Sequence, residues 1–129
     1  MEYLCTSCCK KKCTDEGLLP ASQRYISERI GQVLNESIRL DKPLLILSGR
    51  YGFIDSDHEI PRYDQKLEPG DVARIVPLLV SQLREKGVSK TVFIGRPRTT
   101  PGWKPYYDAL EQAFNQLGIL VTFQQVDIE

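Results

Sequence analysis

Apolar and polar positions follow one another along the chain in a pattern that predicts strands separated by helices. Two short apolar runs, EYLCTS at 2–7 and KTVFIG at 90–95, are predicted as strands. The run KPLLILSG at 42–49 is delimited by a proline and a glycine and is too short for a free-standing helix, which favours a strand buried on both faces. The run ILVTFQQV at 119–126 shows partial alternation and is predicted as an edge strand.

Three stretches between these strands have helical periodicity. The first is predicted to start at Pro20 or Ser22, and its apolar residues recur at intervals of three and four up to position 38. The second is predicted over 71–86, where a proline at position 77 must either kink or split the helix. The third is predicted over 105–117, with a glycine directly after it as a stop signal.

This order of elements is typical of an α/β protein. It predicts one domain over residues 1–129 with three layers: a mostly parallel four-stranded sheet with helices packed on its faces and right-handed crossovers between strands. A chain of 129 residues is long enough to bury a core without help from disulfides or a metal.

Charge and hydropathy restrict the classes of partner. Seventeen basic and seventeen acidic side chains cancel, so any contact with nucleic acid must rest on a local patch. No apolar stretch approaches the roughly 18 residues that span a bilayer, and the first residues lack the apolar segment of a signal peptide. We therefore expect a cytoplasmic protein without a membrane partner, and the sequence indicates no oligomeric state.

Three unusual loops follow the predicted parallel strands, at 5–13, 48–52 and 95–103. Such loops meet at the carboxyl edge of a parallel sheet, where ligands bind at the point at which the strand order reverses. Their cations, and glycines that let backbone N–H groups approach an anion, suggest a nucleotide or single-stranded nucleic acid as ligand. The residues predicted on these grounds to bind it are Lys12, Gly49, Arg50, Gly52 and Arg96.

The polar segment after the strand predicted at 42–49 adds aromatic and acidic candidates. Its Tyr51 and Tyr63, together with Trp103 of the loop at 95–103, could stack on a base. Cleavage at a glycosidic bond needs a carboxylate and a proton donor, and the candidate catalytic residues are Tyr51, Asp55 and Tyr63, with His58 as a further donor. A single loop carboxylate is more often simply solvated, so a noncatalytic domain that binds a nucleotide is the alternative.

All four cysteines lie within nine residues, at positions 5, 8, 9 and 13. Together, Cys5, Cys8, Cys9 and Cys13 could supply thiolates to zinc or to an iron–sulfur cluster. Ordinary zinc sites separate two cysteine pairs by a longer loop, so this spacing is a poor geometric match. A second interpretation is a redox module in which Cys8 or Cys9, next to three lysines, is an oxidation-sensitive thiol.

The segment LILSGRYGFI and the following EIPRYDQKL resemble the YaaA-like families, which include a peroxide-resistance protein and small bacterial families of unknown function. The shared pattern is Ser48, Gly49, Tyr51, Gly52, Phe53, Ile54, Ile60, Tyr63 and Leu67. Upstream, a cysteine followed by lysines and then Pro20, Ala21 and Tyr25 is also similar to the small relatives. The resemblance covers about residues 4–67.

This resemblance implies an α/β core whose site is built by the Cys-Lys loop and the Ser-Gly-x-Tyr-Gly loop, which adds Cys8 and Ser48 to the expected ligand-binding residues. The larger relatives resemble DNA-binding proteins that act in a stress response, and a distant link to base-modifying proteins is implied. The leading expectation is therefore a YaaA-like protein that binds or processes a nucleotide or nucleic acid. The alternative is a metal-binding or redox module without catalysis.

Overall fold

The computed structural model describes residues 1–9, 17–25, 27–61, 63 and 65–128. Its strands are β1 (Glu2–Ser7), β2 (Leu19–Pro20), β3 (Leu44–Ser48), β4 (Gly52–Asp55), β5 (Glu59–Ile60), β6 (Lys90–Gly95) and β7 (Leu120–Gln125). Its α-helices are α1 (Ala21–Arg24), α2 (Glu28–Leu40), α3 (Val72–Glu85) and α4 (Lys104–Leu117), and a 3-10 turn at Pro69–Asp71 precedes α3. No helix in these described ranges is both long enough and apolar enough to cross a membrane.

The main sheet has five strands in the order β4-β3-β1-β6-β7. The strands β1, β3, β6 and β7 run parallel, and β4 pairs antiparallel with β3. The short β2 and β5 form a separate antiparallel pair. The predicted α/β class with a mostly parallel sheet is therefore confirmed, but the predicted count of four strands is wrong for this sheet.

The additional strand is β4, which the sequence pattern placed in a polar loop. Gly52 has a φ of 71°, in the left-handed region that favours glycine, and this conformation closes a tight turn after β3. The chain then pairs back on β3 from Ser48 opposite Gly52 to Leu45 opposite Asp55. Only two apolar residues, Phe53 and Ile54, mark this strand in the sequence, so its periodicity is too short to be recognised.

Each face of the sheet carries its own apolar cluster because successive side chains of a strand point to opposite faces. On one face, Leu45, Leu47 and Phe93 pack with residues of α3 and α4. On the other face, Leu44 and Ile46 pack with residues of α1 and α2. The strand β3 is buried along its whole length, as expected for a strand covered on both faces.

The first long helix begins later than predicted. Ser27 has extended backbone angles and its side chain accepts the N–H of Ile30 at 3.2 Å, so Ser27 is the N-cap of α2. The segment after Pro20 forms the short α1 instead, and Tyr25 returns to an extended conformation. Capping by Ser27 thus divides a segment that has continuous apolar periodicity.

The other two helices lie close to their predicted positions. The helix α4 ends at Gly118, which has a φ of 65° as a C-cap glycine should. Pro77 lies inside α3 on its exposed side and does not split the helix. Water can solvate the carbonyl of Ala73, the acceptor that loses its N–H partner four residues before a proline.

Candidate functional site

The three predicted loops share the carboxyl edge of the parallel strands. Because β1 lies between β3 and β6, the strand order reverses at β1, and the chain leaves all three strands at the same edge. The backbone N–H of Cys8 donates to the carbonyl of Leu47 at 2.8 Å, and the Thr6 hydroxyl donates to the carbonyl of Ile94 at 2.6 Å. Lys12 and Cys13 lie outside the described residues.

Arg29 of α2 places a guanidinium at this edge, and sequence reasoning missed it. The residue is only 2% exposed. One terminal nitrogen donates to the Thr6 hydroxyl and to the Ser7 carbonyl, the latter at 2.9 Å, and the other donates to the Cys8 carbonyl at 3.5 Å. The guanidinium carbon lies 4.8 Å from the ring centre of Trp103, a cation–π contact.

No carboxylate within the described ranges forms an ion pair with Arg29, and its Nε has no hydrogen-bond partner there. Burial lowers the pKa of Arg29, an effect opposed by Cys9, Cys8 and Tyr107 and reinforced by the like charge of Arg96. A buried cation without a carboxylate is costly to keep in a folded protein. The arrangement therefore favours an anion at Arg29.

Two arginines of the loop after β6 are compensated differently. Arg96 pairs with the exposed carboxylate of Asp127 at 3.3 Å, and its carbonyl accepts the Tyr107 hydroxyl at 2.5 Å. Arg98 pairs with Glu111 and lies 5.3 Å above the ring of Tyr107. Only Arg29 among these three is buried without a described carboxylate partner.

A sequence signal for Arg29 exists on α2. Arg29, Ile30 and Val33 are all buried on the stripe of this helix that faces the sheet. Charged residues are rarely fully buried unless they are paired or functional. A charge that falls on an apolar stripe is therefore the pattern that could have identified it.

Ser48 and two tyrosines form a buried hydrogen-bonded group at the end of β3. The Ser48 hydroxyl lies 2.8 Å from the Tyr63 hydroxyl, which in turn contacts the Tyr25 hydroxyl. The Ser48 oxygen also accepts the N–H groups of Arg50 and Tyr51, each at 3.1 Å. Ser48 thus fixes the turn after β3 from within.

Burial raises the pKa of Tyr25 and of Tyr63 above the ordinary phenol value. Both hydroxyls therefore stay protonated at neutral pH. A neutral phenol can donate a hydrogen bond to an anion or to a leaving group, but it cannot act as a base without first losing its proton.

Cys8 lies on the other side of this group. Its sulfur is 3.5 Å from the hydroxyl of Tyr106, and that hydroxyl accepts the N–H of Leu67 at 3.0 Å. The chain at Leu67 passes so close to β3 that a Cβ on Gly49 would lie 2.6 Å from the Leu67 nitrogen. Gly49 is therefore needed for this close approach, in addition to any access that it gives to a ligand.

The structure divides the polar segment after β3 between two places. Tyr51 packs edge to face on Tyr63 with ring centres 5.2 Å apart, and the exposed Arg50 lies 5.3 Å over the Tyr51 ring. Asp55 lies four residues further along β4, roughly 13 Å away at the rise of a strand, and pairs with Lys86 at 3.0 Å. The rings of Tyr51 and Tyr63 are thus in direct contact, whereas Asp55 makes its ion pair with Lys86.

Asp55 lies beside a cavity of about 350 Å³ at the β4 edge of the sheet, and Tyr51 lines the same cavity. His58 and Glu59 also line this cavity, and both are exposed. A surface location with an ion pair to Lys86 is the ordinary environment of a solvated carboxylate.

The cysteines are distributed over different environments. Cys5 has no exposed area and packs in the core under α3 and α4, where burial raises the pKa of its thiol. Cys8 and Cys9 are half-buried at the carboxyl edge. In the part of the chain that the structure describes, no three His, Cys, Asp or Glu side chains could hold one metal ion.

No protein-family model, curated protein or solved structure matches the chain. The resemblance to the YaaA-like families therefore stays a prediction, as do the roles in DNA binding and stress response that it implies. The geometry of the carboxyl edge carries the functional argument that follows.

Proposed function

We propose that the carboxyl edge of the sheet binds a nucleotide, or the end of a single-stranded nucleic acid, with Arg29 neutralising a phosphate. The observation that carries this proposal is the nearly complete burial of Arg29 without a described carboxylate partner. A guanidinium recognises phosphate through two parallel N–H groups. The Nε of Arg29, which has no hydrogen-bond partner among the described residues, and the nitrogen that makes only the long 3.5 Å contact with Cys8 supply such a pair of donors.

The position of Arg29 in the fold supports the same ligand. In doubly wound sheets, ligands bind where the strand order reverses, and here that point is β1, whose last carbonyls Arg29 contacts. The proposed three-layer arrangement, with α2 on one face and α3 and α4 on the other, leaves the ends of the parallel strands open to a ligand. Arg29 also lines a cavity of about 160 Å³ with Glu36 of α2, Ile94 of β6 and Gln124 of β7, and neither Tyr51 nor Trp103 belongs to its lining.

The aromatic side chains at this edge favour a nucleotide over inorganic phosphate. Tyr51 is half-buried at the turn after β3, and β3 lies one strand spacing, about 4.8 Å, from β1. Its ring carries Arg50 above it, a pair of flat groups that can stack on a base. Trp103 contacts the guanidinium of Arg29 itself.

Binding is better supported than catalysis. Glycosidic cleavage requires a carboxylate near the reacting carbon, and Asp55, which lines one cavity with Tyr51, is half exposed there and paired with Lys86. The two tyrosines can donate hydrogen bonds to a bound phosphate or sugar. The catalytic set of Tyr51, Asp55 and Tyr63 remains a prediction.

Isothermal titration calorimetry with AMP, ADP, GMP and a short single-stranded DNA tests the proposal. We expect Arg29→Met to weaken binding about tenfold to a hundredfold, the effect of a charge-assisted hydrogen bond, and Arg29→Lys to restore it only in part because Lys lacks the planar fork. Arg24→Met is the matched control, since Arg24 is also fully buried and donates to the carbonyl of Gly17. The absence of binding by the wild type, or unchanged binding by Arg29→Met, would contradict the proposal.

A second candidate is the redox module, and the half-buried Cys8 favours it. Its sulfur contacts the Tyr106 hydroxyl, and its carbonyl accepts from Arg29. In this case the anionic group at the edge would be an oxidised form of the Cys8 sulfur, such as a sulfinate. Mass spectrometry after peroxide treatment distinguishes the redox module from the nucleotide-binding site. Preferential oxidation of Cys8 without any nucleotide binding would support the redox module.

A further inference from the structure

The two edges of the main sheet differ in how their outward backbone groups are satisfied. At the β4 edge, the side-chain amide of Gln82 on α3 accepts the N–H of Phe53 at 2.7 Å and donates to the carbonyl of Tyr51 at 3.0 Å. The Gln82 amide thus makes the hydrogen bonds that the backbone of a neighbouring strand would otherwise make with these groups. A strand that would add to β4 must first displace Gln82.

The opposite edge, β7, has no such cover among the residues that the structure describes. From Lys90 opposite Leu120 to Gly95 opposite Gln125, its register with β6 is continuous and contains no bulge. The strand LVTFQQ has no proline and no charged residue, and its Leu120 and Phe123 are 59% and 38% exposed. Natural sheets usually protect an edge with one of these devices, so an edge without them favours pairing with another strand.

The pairing with β6 determines which backbone groups of β7 point away from the sheet. The N–H of Val126 donates to the carbonyl of Gly95 at 2.9 Å and so points inward. Because these groups alternate along a parallel strand, the N–H and C=O groups of Val121, Phe123 and Gln125 point outward. None of these three residues has a side-chain partner for its outward groups in the described ranges.

We propose that β7 pairs antiparallel with β7 of a second copy of this chain, about a two-fold axis at Phe123. The outward residues are placed symmetrically around Phe123, so Val121 faces Gln125 of the second copy and Phe123 faces its own equivalent. Each facing pair then exchanges two backbone hydrogen bonds. The surface is self-complementary, as a two-fold interface requires.

Charge and packing favour a second copy as the occupant of this edge. The strand is uncharged and the whole chain has a net charge of zero, so two copies approach without mutual repulsion. The ring of Phe123 is held by Phe93 and Tyr107, with ring centres at 6.1 Å and 5.3 Å, and can stack on its equivalent across the axis. On the other face, exposed Leu120 lies opposite Val126 of the second copy.

A matched pair of double variants tests this register. Thr122 lies opposite Gln124 of the second copy, and both side chains are exposed, so their substitution leaves the core intact. Thr122→Lys with Gln124→Lys puts like charges opposite each other twice, whereas Thr122→Lys with Gln124→Glu puts opposite charges there. We expect the dissociation constants of these two variants to differ by at least about tenfold.

Sedimentation equilibrium gives the mass, and hydrogen exchange identifies the surface. We expect the wild type and the Lys/Glu variant at twice the chain mass of 14.7 kDa, and the Lys/Lys variant as a monomer. The amides of Val121, Phe123 and Gln125 should be protected only in the dimers. A wild type that stays monomeric at its highest soluble concentration, or a Lys/Lys variant that dimerises as tightly as the wild type, would overturn the proposal.

Discussion

At the carboxyl edge, Arg29 is nearly fully buried without a described carboxylate partner, whereas at the β4 edge Asp55 and Lys86 pair at 3.0 Å with the Asp55 side chain 48% exposed. Both places are rich in polar side chains, but their energetics differ. The exposed pair costs little to form and contributes little. The buried cation costs stability, which its hydrogen bonds to Thr6 and Ser7 and its contact with Trp103 offset in part, and such a cost is typical of a functional site.

The largest expected effect concerns the close packing behind the carboxyl edge. A Cβ on Gly49 would lie 2.6 Å from the Leu67 nitrogen and 2.8 Å from the Lys66 carbonyl carbon, so Gly49→Ala should destabilise the protein by about 3 kcal/mol. Chemical denaturation measures this loss. Gly70→Ala is the control, because nothing lies within 4 Å of its added Cβ; equal stability of the two variants would show that the chain at Leu67 is not held against β3.

A smaller effect is expected at Ser48. The residue has no exposed area, and its oxygen accepts two backbone N–H groups and contacts the Tyr63 hydroxyl. Ser48→Ala leaves these groups without their partner and should lower the free energy of unfolding by about 2 kcal/mol. Ser81→Ala, at an exposed position of α3, should change it by less than about 0.5 kcal/mol. A Ser48→Ala variant as stable as the wild type would be evidence that water replaces the hydroxyl.

Most of the element order follows from periodicity, and the parts that do not have physical reasons. The parallel strands and α4 have enough regular positions to be recognised, and strand polarity alone brings the loops after β1, β3 and β6 to one edge. The strand β4 was missed because its two apolar residues stand between polar neighbours. The start of α2 was misplaced because capping by Ser27 outweighs continuous apolar periodicity.

The candidate site was predicted in part. The structure places Ser48 and Cys8 at the ends of β3 and β1, as strand polarity requires, and their roles in ligand binding stay predictions. The contacts that complete it join positions far apart in the chain, such as Tyr25 with Tyr63 and Cys8 with Tyr106. Periodicity is a local signal and contains no information on such pairs, and Arg29 was read as part of an amphipathic helix.

The buried tyrosines predict a pH dependence of stability. Burial raises the pKa of Tyr25, Tyr63 and Tyr106 in the folded protein, so the folded state holds their protons when the unfolded state releases them above about pH 10. Their contribution is complete below that pH and is lost as the pH rises. Above that pH, removing one such tyrosine hydroxyl should make the free energy of unfolding fall less steeply, by about 1.4 kcal/mol per pH unit.

Denaturation of the wild type and Tyr63→Phe between pH 9 and about 11 measures this difference. We expect the free energy of unfolding to fall more steeply with rising pH in the wild type than in Tyr63→Phe. Parallel curves for the two proteins would mean that Tyr63 ionises at its ordinary value, and hence that its hydroxyl is not buried with Ser48.

The smallest effect is expected at the β4 edge. Asp55→Asn removes the ion pair with Lys86. Because the Asp55 side chain is half exposed, the free energy of unfolding should fall by less than about 1 kcal/mol. Nucleotide binding should not change, because Asp55 lies away from Arg29. Calorimetry with AMP checks this, and a loss of binding would return Asp55 to the candidate site.

The sole tryptophan of the chain gives the most direct test of the anion site. Trp103 contacts the guanidinium of Arg29, so its fluorescence reports on that place. Titration with AMP and with adenosine, which lacks the phosphate, isolates the contribution of the anion. We predict a saturable change with AMP at concentrations at least about tenfold lower than with adenosine, and the loss of this difference in Arg29→Met. Equal affinity for AMP and adenosine, or a difference that persists in Arg29→Met, would contradict the assignment of Arg29 as the phosphate-binding residue.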